Sequence, residues 1–360
     1  LYILVLLCGY GMLHTYLVYP WSTLKAGNQS GDKQAFYWNP EKDADLKVAR
    51  SNYESKASKG PNLETNFTPQ KGASKNTASP VSFATPVPAG SKELKPEKEE
   101  LPCVSVLMAV HNEELVLADK LDSLLTQDYP GEYRIYIGSD NSSDATNDIL
   151  TKYAAEEERL IIRLFTNRQG KPSIINQLAE QAKPLDEHHV FILTDASVML
   201  QSNAITELVK PMITHPDLAM ADARMIHTGM AKEGIGETED LYIGREVRLK
   251  QAQGKIGGYT MGPFGGCYAL RANYFRPVPD NFLVDDFFLC LGAYEQGGRG
   301  ISVPTAHCYE AVGQEISDEF RRKVRISSGN WQNAARFRKL WWPPAGQLNY
   351  AFFSHKILRL

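Results

Sequence analysis

From residue 104 onward, apolar and polar positions come in alternating blocks. Val104, Val106, Leu107, Met108, Ala109 and Val110 form an apolar run that ends at His111, Asn112, Glu113 and Glu114, as expected of a strand covered on both faces that empties into a polar loop. Leu117, Leu121, Leu124 and Leu125 then recur at helical spacing until Pro130-Gly131 marks a stop. A second strand is predicted over 134–138, ending in Ser139, Asp140, Asn141, Ser142, Ser143 and Asp144. The pattern repeats. Asp144 can cap a helix through Ile149, Leu150 and Tyr153; a strand over 160–165 leads into Thr166, Asn167, Arg168, Gln169, Gly170 and Lys171; a helix carries Ile174, Ile175, Leu178 and Ala182; and a strand over 190–193 ends in Thr194, Asp195, Ala196 and Ser197. Strands alternating with helices predict a doubly wound, mostly parallel α/β sheet. Glu113, Asp140, Lys171 and Asp195 then share its carboxyl rim, where helix N-termini point and ligands bind.

Further on, 218–227 reads as a strand and 237–253 as a helix. Gly257, Gly258, Gly262, Gly265 and Gly266 crowd the next stretch, fitting either turns or close backbone approach to a ligand. Asp285 and Asp286 sit among Phe282, Leu283, Val284, Phe287 and Phe288. Adjacent acids in an apolar run lose solvation, which favours functional carboxylates over the alternative of a helix start capped by Asp285.

The termini differ from this middle. Residues 1–21 carry no charged side chain and match the roughly 20 residues that cross a bilayer, so a transmembrane helix is expected; a signal peptide would show a basic leader and a small-residue cleavage site. Lys25 and Lys33 favour a cytoplasmic placement for the chain beyond the span, and the missing initiator Met predicts a fragment. Residues 22–100 are polar without period and read as a flexible linker.

Composition narrows the classes. The 360 residues are 43% hydrophobic and 22% charged, enough for a sizeable core, and a net charge of -3 predicts no general affinity for nucleic acid. Cys8, Cys103, Cys267, Cys290 and Cys308 are odd in number without Cys-x-x-Cys spacing, so free thiols are expected rather than disulfides or zinc. Arg321, Arg322, Lys323, Arg325, Arg336, Arg338 and Lys339 form a basic run that suits a diphosphate or lipid head groups, the latter because Trp341, Trp342, Tyr350, Phe352, Phe353, Lys356 and Arg359 come next. Residues 321–360 are therefore expected to form a basic and aromatic interfacial segment.

Taken in order, VSVLMAVHN, SDNSSDAT, GKPSIINQLA, LTDAS, FGGCYALR, LVDDFFLCL and RRKVR resemble the family 2 glycosyltransferases of the GT-A fold, in particular the membrane-tethered hyaluronan, chitin and cellulose synthase type. The resemblance implies a glycosyltransferase domain over 101–320, with a nucleotide-sugar half at about 101–200 and an acceptor half at about 201–320. It implies a nucleotide diphospho-sugar donor bound by Ala109, His111, Glu113, Asp140, Lys171, Asp195, Arg322 and Arg325, and acceptor contacts at Gly265, Gly266 and Asp285. Asp286 would be the general base of an inverting transfer. A divalent metal, Mg or Mn, would lie at Asp195 and Ser197, the latter standing where the family has a second Asp, with His307 a further ligand or a structural histidine. Of the family's Gln-x-x-Arg-Trp motif, Arg325 is retained while Arg322 and Ile326 stand for Gln and Trp. The acceptor would be a polysaccharide or lipid-linked hydroxyl at the cytoplasmic face of the inner or plasma membrane, with membrane lipids as partners. A nucleotidyltransferase would carry a glycine-rich basic loop after the first strand, which HNEE is not. Ser197 and the altered Trp motif motivate a second alternative, an inactive nucleotide-sugar-binding membrane scaffold.

Overall fold

The apolar run at the start of the domain becomes β1 (Val104–Val110), with six of its seven residues buried. In this computed structural model, which describes His14, residues 19–29 and residues 101–360 except 185, 229–234 and 312–315, β1 lies near the middle of an eight-stranded sheet. All described residues belong to one compact unit made of residues 1–43 and 101–360. Strand alternation splits the core into two layers. Val104, Val106, Met108 and Val110 face one layer, filled by Leu117, Leu121 and Leu124 of α2 (Leu117–Leu125) and by Ile205, Leu208 and Met212 of α5 (Ala204–Thr214). Leu107 faces the other, filled by Ile174 and Leu178 of α4 (Lys171–Ala182) and by Phe287, Phe288 and Leu291 of α7 (Asp285–Glu295).

The first half of the sheet obeys the sequence pattern. β2 (Tyr133–Asp140), β3 (Leu160–Phe165) and β4 (Val190–Thr194) join β1 in parallel, in the order β3-β2-β1-β4, with α3 (Thr146–Glu156) between β2 and β3. The second half corrects the expectation of a mostly parallel sheet. It adds β5 (Val198–Leu200), β6 (Leu218–Thr228), β7 (Cys267–Arg271) and β8 (Arg299–Ala311), and only four of the seven adjacent pairs in the whole sheet are parallel. β7 follows α6 (Ile235–Gly257) through the glycine-rich turn and pairs antiparallel to β4 with Cys267 opposite Thr194. That reversal brings the turn at 258–266 to the rim where Asp195 stands.

The described part of the predicted transmembrane segment 1–21 is His14 and the start of α1 (Tyr19–Gln29); the rest lies outside the described residues. Among the described residues, no helix is long and apolar enough to cross a membrane. Residues 22–29 continue α1 instead of beginning the linker, whose remainder also lies outside the described residues. α1 docks on α6 (Ile235–Gly257) through a buried polar chain: Gln253 Nε2 donates to Tyr19 Oη at 2.8 Å and to His355 Nδ1 at 2.8 Å, and His355 Nε2 donates to Glu246 at 2.5 Å. The C-terminal segment does not begin at 321, because α8 runs from Ile316 to Arg336. Nor is it wholly interfacial: Ala334, Phe337, Phe352 and His355, the last two on α9 (Gln347–His355), are buried.

Candidate active site

The loops after β1 and β2 are stitched together at the carboxyl rim. Asn112 and Asn141 both take the left-handed conformation, φ 56° each, which Asn tolerates better than most residues. Asn112 Oδ1 accepts the Ser143 N–H at 2.8 Å, Asp144 Oδ2 accepts the Glu114 N–H at 3.1 Å, and Glu114 Oε2 accepts the Ala145 N–H at 2.9 Å. His111 Nδ1 donates to the Asp140 carbonyl at 2.9 Å. Asp144 also receives the Thr146 N–H at 3.0 Å, but the residue at the N-cap of α3 is Ala145, so Asp144 braces the turn before the helix rather than capping it. Ala109, half-buried on β1, pairs with Gly138 of β2. Burial raises the Glu113 carboxyl above its usual range, with the charges of Asp195 and Asp144 adding to the effect.

Asp140 has a definite task. Its two oxygens accept the N–H groups of Gln169 at 2.7 Å and Gly170 at 2.9 Å, and Arg168 Nε lies 3.4 Å away. Gly170 adopts φ 86°, open to glycine and strained for other residues, and immediately precedes α4. Asp140 thereby fixes the loop that presents Lys171. The Lys171 ammonium reaches Asp195 Oδ1 at 2.7 Å and Asp285 Oδ2 at 3.5 Å. Burial alone would lower its pKa, but the carboxylates of Asp195, Asp285 and Asp286 outweigh this and raise it.

Asp285 and Asp286 occupy the first turn of α7, where unpaired N–H groups and the helix dipole favour negative charge. Asp286 Oδ1 accepts the Phe287 N–H at 2.6 Å. Burial first, and the neighbouring Asp285 second, push the Asp286 carboxyl up to about 6, against the opposing effect of Lys171. Gly265 makes room for it: at φ 89°, a Cβ on Gly265 would collide with Asp286 Oδ2. The Gly266 carbonyl accepts the Asp195 N–H at 3.1 Å and the Thr194 hydroxyl at 2.9 Å. The glycine stretch therefore forms a turn, and Gly265 lets the Asp286 carboxylate approach its backbone closely.

Lys171, Asp195, Asp285, Asp286, Gly265 and Gly266 thus meet in one place, with Asp140 one loop away. Of the expected metal ligands, Asp195 and Ser197 share one turn, while His307 bonds elsewhere. Ser197 Oγ donates to Glu310 Oε1 at 3.3 Å, whereas the His307 ring donates to Gln201 Oε1 at 2.7 Å. Among the described residues, no group of three or more His, Cys, Asp or Glu side chains could hold a metal by itself. Arg325 donates to the Leu283 carbonyl at 3.0 Å, two residues before α7, and Arg322 is exposed on α8. Among the described residues, the carboxylates paired with the Lys171 ammonium are those of Asp195 and Asp285.

Sequence reasoning missed several polar residues. Glu310 lies on β8, with His227 Nε2 at 3.5 Å from its other oxygen. Asp222 is fully buried; it accepts the Phe264 N–H at 3.1 Å and faces Lys250 at 3.8 Å, and burial pushes its carboxyl up to about 7. Lys120 is also fully buried. The signal for Asp222 was a lone acid inside an apolar strand, and for Lys120 a lysine at a core position of an amphipathic helix.

Residues 105–276 match the model of the family described as Glycosyl transferase family 2. A beta-monoglucosyldiacylglycerol synthase from Trichormus variabilis is 34% identical over 164 residues, covering 44% of this chain and 33% of that protein. A probable glycosyltransferase, YdaM, from Bacillus subtilis is 33% identical over 268 residues, covering 71% of this chain and 61% of that protein. The chain thus spans about a third of the first relative's length and less than two thirds of the second's. Among solved structures, the mannosyltransferase PcManGT from Pyrobaculum calidifontis, in complex with GDP-Man and Mn2+, superposes with a TM-score of 0.58 at 21% identity, covering 71% of this chain and 70% of that one. That likeness concerns the fold, a mixed α/β sheet with flanking helices consistent with GT-A.

Proposed function

From the match of residues 105–276 to the Glycosyl transferase family 2 model, we propose that the chain is a family 2 glycosyltransferase that moves a hexose from a nucleotide diphospho-sugar to a hydroxyl acceptor, with inversion, at the cytoplasmic face of a membrane. One observation carries the reading: the Lys171 ammonium lies between Asp195 and Asp285, beside a half-buried Asp286 whose carboxyl is raised to about 6.

In this reading the Asp140 clamp holds Lys171 against the diphosphate, where its charge offsets that of the leaving group. Asp286, ionised at neutral pH yet more basic than an ordinary carboxylate, takes the proton of the acceptor hydroxyl. The acceptor oxygen attacks the anomeric carbon from the face opposite the nucleotide. The new carbon–oxygen bond forms as the bond to phosphate breaks, and its electron pair leaves with the nucleoside diphosphate. A divalent ion fits the residues present: the Asp195 carboxylate is 39% exposed, and the Ser197 hydroxyl with Glu310 behind it adds oxygen donors. Mg2+ commonly uses one or two carboxylates together with substrate phosphates rather than a cage of protein ligands. Bound there, Mg2+ or Mn2+ would stabilise the charge on the departing diphosphate.

The membrane setting is supported by α8. Phe320, Val324 and Trp331 are 69%, 49% and 58% exposed, and they are flanked by exposed Arg321, Arg322, Lys323 and Arg325, the mixture that suits an anionic lipid surface. The acceptor is then a lipid-linked hydroxyl or a growing glycan at that surface. To test this, membranes containing the full chain are given a panel of nucleotide sugars with Mg2+ or Mn2+, and nucleoside diphosphate release is compared with Asp286→Asn. The reading expects release by the parent and its near-loss in the variant. Equal rates would remove Asp286 as the base, and binding without release from any sugar would favour the inactive scaffold.

A further inference from the structure

Lys120 lies on the core face of α2 beside Leu117, Leu121 and Leu124, with no exposed surface. Placing an ammonium there is costly unless its charge and its N–H groups find partners. The partners it finds are specific. Its Nζ donates to Thr194 Oγ1 at 2.8 Å and to the Val198 carbonyl. Those two residues bracket the turn that carries Asp195 and Ser197. The Thr194 hydroxyl passes the connection on, donating at 2.9 Å to the Gly266 carbonyl, which also accepts the Asp195 N–H at 3.1 Å. Gly266 adjoins Gly265, against which Asp286 rests.

We propose that Lys120 is a positioning residue for glycosyl transfer: from inside the core it ties both ends of the Asp195 turn together and, through Thr194, locks that turn to the Gly265–Gly266 turn beneath the base Asp286. The proposal rests on the function proposed above. A helix-core leucine or methionine would fill the same space without the desolvation cost, so the retained ammonium points to a need for its two directed bonds. Cys267 and Cys308 stand beside it, and Asp195 acts on it from the turn; burial lowers its pKa to about 8, leaving it mostly charged at neutral pH. The donor-side acid and the acceptor-side base lie on different strands and helices, and this linkage sets their separation.

The test uses the full chain in detergent and three measurements: nucleotide-sugar turnover, thermal unfolding, and calorimetric binding of UDP and GDP with and without Mn2+. The variants are Lys120→Met, which keeps the bulk but removes both bonds, and Thr194→Val, which keeps Lys120 and removes only the relay. Each is expected to lose about a hundredfold in kcat/KM, the scale of an ångström-sized misplacement. Each is also expected to lose at least tenfold in the Mn2+-dependent part of nucleoside diphosphate affinity, with metal-free affinity unchanged. A purely structural lysine would lower the unfolding temperature without that split. If Thr194→Val matches the parent in kcat/KM and in Mn2+-dependent affinity, the proposal fails, whatever Lys120→Met does. If the parent neither binds nor turns over any nucleotide, the functional reading fails and takes this proposal with it.

Discussion

Gly265→Ala perturbs the site at a single atom. The Gly265 backbone sits at φ 89°, and an added Cβ would overlap Asp286 Oδ2. An L-residue held in the left-handed region costs roughly 1–2 kcal/mol, and swinging the Asp286 side chain off its rotamer adds about 1 kcal/mol. The fold should therefore lose roughly 2–3 kcal/mol, well short of unfolding a typical domain. The catalytic loss should be disproportionate: moving the base by about 1 Å predicts a kcat near one hundredth of the parent, with donor KM little changed because the carbonyl of Gly266, not Gly265, holds the Asp195 turn. Gly292→Ala is the control, since it lies in the same helix as Asp286 with nothing within 4 Å of its added Cβ and should gain helix propensity at unchanged kcat. Urea unfolding and steady-state nucleoside diphosphate release measure the two effects separately. A Gly265→Ala enzyme with parental kcat would refute the assignment of Asp286 as the base placed by that turn.

Other perturbations probe the rest of the site. Lys171→Gln removes the cation among three carboxylates; since the ammonium lowers the Asp286 pKa, the acid limb of the kcat profile should move upward from about pH 6 and donor KM should rise. Asp140→Asn leaves one loop N–H without its acceptor, costing about 1–3 kcal/mol, and should raise hydrogen exchange at residues 168–171 together with donor KM. His355 is held neutral, with its pKa lowered by burial to about 4. Between pH 6.5 and 4 the unfolded chain takes up a proton that the folded one refuses, so stability is present above 6.5 and falls as pH drops through that window. His355→Gln should flatten that slope in urea midpoints measured at pH 7 and pH 5.

The half of the sheet built on β1 to β4 was legible because strands buried on both faces leave continuous apolar runs, and parallel strands separated by helices place their polar ends on one rim. The observed strand 160–165 coincides with the predicted one, and Lys171 and Asp195 stand at the rim as expected. The other half was less legible. β5 has three residues and β7 begins inside a glycine turn, so neither offers a period long enough to read. Their antiparallel pairing is set by tertiary contact. The sequence left His307 open between a ligand and a structural histidine, because its bond to Gln201 is made only in three dimensions. α1 was hidden for a similar reason: YPWSTLKAGNQ has little amphipathic pattern, and a long-range bond from Gln253 to Tyr19 helps dock it. Lys120 occupies a core position of its helix that the spacing marks, but its role could not be read, because its partners Thr194 and Val198 lie far along the chain.

The most direct test of the account is an experimental structure of the full chain with a nucleotide diphospho-sugar and Mn2+, using Asp286→Asn to hold the donor intact. The account predicts the diphosphate between Lys171 and Asp195, with the anomeric carbon of the sugar turned toward position 286. A donor bound away from Lys171 and Asp195, or with its anomeric carbon facing away from α7, would contradict it.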